Sequence, residues 1–179
     1  ADLNEAVLCV KEIVAGAKDA NALGAMTKRM VAHVVDVYTE KARDWIAKLL
    51  AACVKRCGVS AEAVFADLLE QIEALEDIAI DVPMAPKLLG VMLAQLIIEG
   101  ALEAATLNAA TLKIDEGAVP TRRDFAAAAL KELKNNGKGG LAEYVTKSGL
   151  DVAAALTGDE KFDGPLAAFL EKNGLKELC

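Results

Sequence analysis

The stretch LLEQIEALEDIAIDVPMAPKLLGVMLAQLIIEG, residues 68–100, decides the fold. Its first part completes a helix that begins after Ser60, a good N-cap, with Glu62 suited to the first turn. Val64, Phe65, Leu68, Leu69, Ile72 and Leu75 recur at helical spacing and are expected to face inward. Asp67, Glu70, Glu73, Glu76 and Asp77 then form a continuous acidic stripe on the outer face. The segment Ile78–Pro86 turns the chain, because Pro83 fixes its own φ and drives Val82 toward an extended backbone. From Lys87 to Glu99 the apolar residues Leu88, Leu89, Val91, Met92, Leu93, Leu96, Ile97 and Ile98 fall on nearly every side of a helix that Gly100 stops. A helix apolar all round belongs at the buried centre of a helical domain.

Working outward, Asp2 and Asn4 cap a first helix whose apolar stripe is Leu3, Ala6, Val7, Val10, Ile13 and Val14, ended by Gly16. Residues 15–25 read as a loop, and Met26, Met30, Val31, Val34, Val35 and Tyr38 mark a second helix. A third, from Lys41 to Arg56, turns Trp45, Ile46, Leu49, Leu50 and Cys53 to one side, with Gly58 as its stop. Beyond the central helix, a sixth spans Glu103–Leu112 and a break covers Asp115–Pro120. Thr121 caps a seventh, which carries Phe125, Ala129, Leu130 and Leu133 inward and ends over Asn135–Gly140. Short helical pieces follow at Leu141–Thr146, Asp151–Leu156 and Pro165–Lys172, small enough to cap a stack.

Composition agrees. Hydrophobic residues make up 54% of the 179 but aromatic ones only 4%, and Ala and Leu, strong helix formers, carry most of the apolar total. Successive helix pairs of roughly 35 to 45 residues fit a HEAT-like α-solenoid. The expected architecture is all-α: one domain over residues 1–179, a stack of antiparallel helix pairs with short C-terminal capping helices.

Function classes narrow next. With 20 Lys and Arg against 27 Asp and Glu, the net charge of −7 repels phosphate backbones on average and favours a basic protein partner. Lys28, Arg29, Arg122, Arg123, Lys131 and Lys134 are the residues that would have to gather into basic patches for direct RNA binding. Cys9, Cys53, Cys57 and Cys179 lack paired metal or redox spacing and read as buried free thiols of a reducing cytosol. The longest apolar stretch, Leu88–Ile98, is too short to cross a bilayer, and no signal peptide is visible, so the expected location is cytoplasmic.

No complete catalytic constellation stands in the sequence. His33, the single histidine, lies among valines where a packed or half-exposed side chain is expected rather than a catalytic one, and nucleophilic hydrolysis needs a base beside its nucleophile. Gly137-Lys138-Gly139-Gly140 lacks the strand and hydroxyl residue of a phosphate-binding loop. Carboxylates are abundant, but nothing in the sequence marks a pair whose pKa values a cleft would drive apart. The expectation is a non-enzyme with no cofactor and no metal.

Four motifs, in order, give the chain a family likeness: Ala47–Leu50 (AKLL), Glu76–Pro83 (EDIAIDVP), Ala85–Gly90 (APKLLG) and Glu99–Gly100. Together they resemble the MA-3 domain of the eukaryotic translation initiation factor 4-gamma scaffold. Asp2–Ala6 with Cys9–Glu12 resembles that family's first helix, and Tyr144–Leu156 its closing W-x-x-S-G-L segment, with Tyr in place of Trp. The 16–25 loop departs from the family's usual turn, and residues 159–179 match nothing in it.

The resemblance implies an adaptor, a fragment of a longer scaffold protein. Its partner would be the N-terminal RecA-like domain of the RNA helicase initiation factor 4-A, with other initiation factors reached through the parent scaffold. It also implies contact positions: the family's two acidic residues spaced by four before the proline correspond to Asp77 and Asp81. Pro83 would set shape and touch the partner, and Glu73, Glu76 and Asp67 would add longer-range attraction. Asp81 has a second reading, as a cap on the following helix. The resemblance also extends to the inhibitor programmed cell-death protein four, which binds the same helicase to opposite effect.

Overall fold

The computed structural model describes residues 2–16, 22–37, 39–156 and 166–178. Among these there are eleven α-helices, one short 3-10 turn (Lys176–Leu178) and no strand. The helices are α1 (Leu3–Gly16), α2 (Ala22–His33), α3 (Glu40–Arg56), α4 (Ala61–Glu73), α5 (Leu75–Asp81), α6 (Ala85–Ile98), α7 (Ala105–Thr111), α8 (Val119–Asn136), α9 (Leu141–Ser148), α10 (Val152–Leu156) and α11 (Leu166–Lys172). They pack helix on helix in a HEAT-like, α-solenoid arrangement: α1 lies on α3, α2 on α4, α3 on α6, and α6 on α8.

α6 is the centre that its all-round apolarity demands, with Leu89, Leu93, Ala94 and Leu96 fully buried. It does not hold that place alone. Its broadest contact is with α8, whose Phe125, Ala126, Ala129 and Leu130 are equally buried. The two helices come close because Gly90 has no side chain: a Cβ there would sit 2.3 Å from the Phe125 carbonyl oxygen. The end of α6 is a Schellman turn, in which Gly100 takes φ 69°, its N–H bonds the Ile97 carbonyl and the Ala101 N–H bonds that of Leu96 at 2.9 Å. Two motif glycines are thus explained, one by close approach and one by backbone handedness.

One continuous apolar cluster runs from Val7 to Leu175. The C-terminal pieces close it: α9 packs on α7 and α8, α10 on α8, and Lys134 of α8 reaches the Gly174 carbonyl (2.6 Å) and the Glu177 carboxylate (2.5 Å).

Several boundaries differ from the sequence expectation. α2 begins at Ala22, inside the expected loop, and ends at His33, so Val34 and Val35 lie on a turn closed by Val34 N–H to the Val31 carbonyl; Tyr38 and Pro165 lie outside the described residues. Val34 is nonetheless buried, which is why its hydrophobicity reads as helix continuation. Ile13 is 55% exposed, off the α1 stripe. α7 is shorter than expected and starts at Ala105. Thr121 is not a cap: α8 starts two residues earlier at Val119, since Pro120 forfeits no hydrogen bond in a first turn. Cys9 is exposed, contrary to the expectation of buried thiols, and Cys179 lies outside the described residues.

Candidate functional site

The expected continuous acidic stripe is interrupted in the structure, and the interruption defines the site. α4 stops at Glu73, Ala74 breaks the helix, and α5 begins at Leu75. The carboxylates of α4 are spent inside the protein. Asp67 lies 3.0 Å from the buried Thr27 hydroxyl, Glu70 pairs with Lys28 at 2.6 Å, and Glu73 pairs with Lys113 at 3.0 Å. Each ties α4 to a neighbouring segment, and the ion pairs partly neutralise Glu70 and Glu73.

Glu76, Asp77 and Asp81 behave differently. All three are exposed, and among the described residues none has a salt bridge or side-chain hydrogen bond. They sit on α5, whose Leu75 is buried and whose Ile78 packs against the core, followed by Val82 one turn on. This inward spacing of three and four leaves Asp77, Ile80 and Asp81 to the outside, and Met84 is exposed in the turn beyond them. Pro83 is exposed at the turn, where Val82 takes φ −126° and ψ 81° and the Ala85 N–H closes onto the Val82 carbonyl at 2.8 Å.

The sequence reading ended the helix too early here. Ile78–Asp81 is helical rather than turn, which places Asp77 and Asp81 one turn apart on one face. The capping reading of Asp81 is excluded as well: α6 is preceded by Met84 with no side-chain cap, and Asp81 is the last residue of α5. In that position a carboxylate faces the negative end of the helix dipole and a like charge four residues back, each unfavourable by a few tenths of a kcal/mol. Local stability therefore gives no reason for Asp81.

Two residues of this face were missed from sequence, Ile80 at 80% exposure and Met84 at 53%. The signal that would have found Ile80 is the i, i+3, i+4 spacing of Asp77, Ile80 and Asp81, hidden once a turn is placed at Ile78; Met84 stands beyond the helix, in the turn before α6. Beside Met84 the surface dips into an open cavity of about 570 Å³ between the α5–α6 turn and the α2–α3 turn, with Asp81 and Pro83 on one wall and Asp36 and Arg43 on the other. Arg43 braces the far wall by donating to the Val37 carbonyl at 2.6 Å.

Other candidates carry less. Among the described residues no group of His, Cys, Asp and Glu could hold a metal ion. His33 is exposed, its Nδ1 3.9 Å from Asp36. Burial pushes the Cys53 thiol up to about 12, with the neighbouring Cys57 adding to the shift, so it stays protonated at neutral pH. The basic residues are divided between α2 and α8, and Lys28 and Lys134 are held in ion pairs while Arg123 stacks over Phe169 at 5.3 Å. Among the described residues no helix is long and apolar enough to cross a membrane.

Comparison with known proteins gives one finding. A family model, that of the MA3 domain, matches residues 1–103, from α1 through the turn that ends α6. No curated protein and no solved structure matches the chain. The match contains α5 and all four motifs, and it stops short of α8 and of the Tyr144–Leu156 segment.

Proposed function

Because the chain belongs to the MA3 domain family, a family of protein-interaction modules in translation factors and not a catalytic one, we propose that it binds the RNA helicase initiation factor 4-A. In this reading it acts as the docking module of a translation initiation scaffold. The contact is α5 and the turn after it, where Asp77, Asp81 and Glu76 meet cations of the helicase's N-terminal RecA-like domain and Pro83 fixes the angle of approach.

The observation that supports this reading above the others is the division of the acidic residues. The carboxylates of α4 have internal partners, while those of α5 are exposed and unpaired, and one of them, Asp81, stands at the helix end where the dipole and Asp77 disfavour it. Unpaired carboxylates on a rigid element suit a partner rich in Arg and Lys, through charge-assisted hydrogen bonds formed only in the complex. Glu73, committed to Lys113, contributes little in this scheme.

Calorimetric titration at moderate salt tests the proposal. Asp77→Lys with Asp81→Lys should weaken binding of the helicase domain by at least about tenfold; unchanged affinity refutes it. Glu73→Gln should bind nearly as the parent does. A coupled ATPase and unwinding assay reads the sense of the effect, since a scaffold permits or raises helicase turnover and an inhibitor suppresses it.

A further inference from the structure

We propose that Ile80 and Met84 are the apolar anchor of this docking face, seated on a nonpolar spot of a basic protein surface while Asp77 and Asp81 pair with the cations around it. The inference rests on the reading of α5 as the helicase contact and adds to it the residues that hold the partner once charge has drawn it in.

Single exposed apolar side chains are ordinary, but these two are not scattered. Ile80, at 80%, is the most exposed large hydrophobic residue of the described chain, and Met84 follows it by four positions across a tight turn. Neither belongs to the apolar core, which this segment meets through Leu75, Ile78 and Val82. Asp77 and Asp81 flank Ile80 in sequence and, at helical spacing, in space. An apolar centre inside a charged rim is how protein interfaces are built: the rim steers and selects, and the centre, once dry, supplies most of the affinity. Methionine adapts its shape to whatever it meets, which suits the edge of such an anchor.

Charge chooses the occupant. A second copy of this chain would bring Asp77 and Asp81 toward their own counterparts in a molecule of net charge −7. A basic protein surface meets the same residues with opposite sign.

The test is titration of the helicase's N-terminal RecA-like domain at low and high salt with the parent chain, Asp77→Asn/Asp81→Asn, and Ile80→Gln/Met84→Gln. Glutamine keeps helix propensity at exposed positions, and Ile80→Ala serves as a second, milder variant. The expected result is a loss on the order of tenfold for Ile80→Gln/Met84→Gln at both salt concentrations, with a less negative heat capacity of binding and the parent's salt dependence retained. Asp77→Asn/Asp81→Asn should instead flatten the salt dependence. Parental affinity in both Ile80 variants, alongside weakened binding by Asp77→Asn/Asp81→Asn, overturns the anchor and leaves the helicase reading standing. Failure of the parent chain to bind overturns both. A concentration-dependent dimer that Ile80→Gln/Met84→Gln abolishes in sedimentation assigns the face to self-association and overturns the proposal.

Discussion

Gly90→Ala should destabilise the protein even though it places a better helix former in the interior of α6. The native backbones leave no room: the new Cβ would lie 2.3 Å from the Phe125 carbonyl oxygen, 3.1 Å from its carbon and 3.3 Å from the Ala129 nitrogen. An ordinary carbon–oxygen contact is about 3.3 Å or more, so α6 and α8 must part by roughly 1 Å. A gap of that size forfeits up to about half of the dispersion attraction at each affected contact. Leu93, Leu96, Phe125 and Leu130, all fully buried, lie on these two helices. Overpacking of this kind costs ~1–3 kcal/mol, and the upper part of that range applies because the obstructing atoms are backbone and cannot rotate away. Replacing Gly by Ala in a helix returns ~1 kcal/mol. The net loss is about 1–2 kcal/mol, or about 2–8 °C in Tm for a chain of this size. Calorimetry or thermal circular dichroism measures it, with Gly24→Ala as the control: no atom lies within 4 Å of a Cβ there, so that substitution in α2 should raise Tm slightly. A Gly90→Ala protein as stable as its parent refutes the close packing of α6 on α8.

Four further outcomes are expected. Asp81→Asn removes a charge from the wrong end of α5 and from an i, i+4 repulsion, so stability should rise by ~0.5 kcal/mol in urea unfolding while helicase affinity falls. In native protein at pH 8 the exposed Cys9 should alkylate readily and the buried Cys53 only after unfolding, as peptide mapping will report. Because burial raises the Cys53 thiol from 9.0 to about 12, the folded chain holds a proton that the unfolded chain releases from about pH 9. Its contribution to stability is complete below that pH and declines between pH 9 and about 12, which alkaline unfolding curves of the parent and Cys53→Ala will separate. Finally, residues 1–103 alone, lacking α8, should expose the buried face of α6 and aggregate or unfold, as light scattering and circular dichroism would show.

The sequence by itself determined the helical class, the place of residues 87–99 at the centre, and the family, because these rest on local information. Alanine and leucine content, apolar spacing and the stops at Gly58 and Gly100 act within a turn or two of the chain. It also named the segment of the candidate site. Only the tertiary structure decided which of its charges are free. Asp67, Glu70 and Glu73 look like Asp77 and Asp81 in a string of letters, but their partners Thr27, Lys28 and Lys113 are about forty residues away. Such pairing depends on how helices stack, which no local pattern encodes. The same holds for Gly90, whose need for an absent side chain arises from the Phe125 backbone of another helix. It holds too for Val34, buried on a turn that its hydrophobicity disguises as helix. The break at Ala74 and the extension of α5 to Asp81 turn one acidic stripe into a bound half and an open half, and the open half carries Ile80 beside its carboxylates.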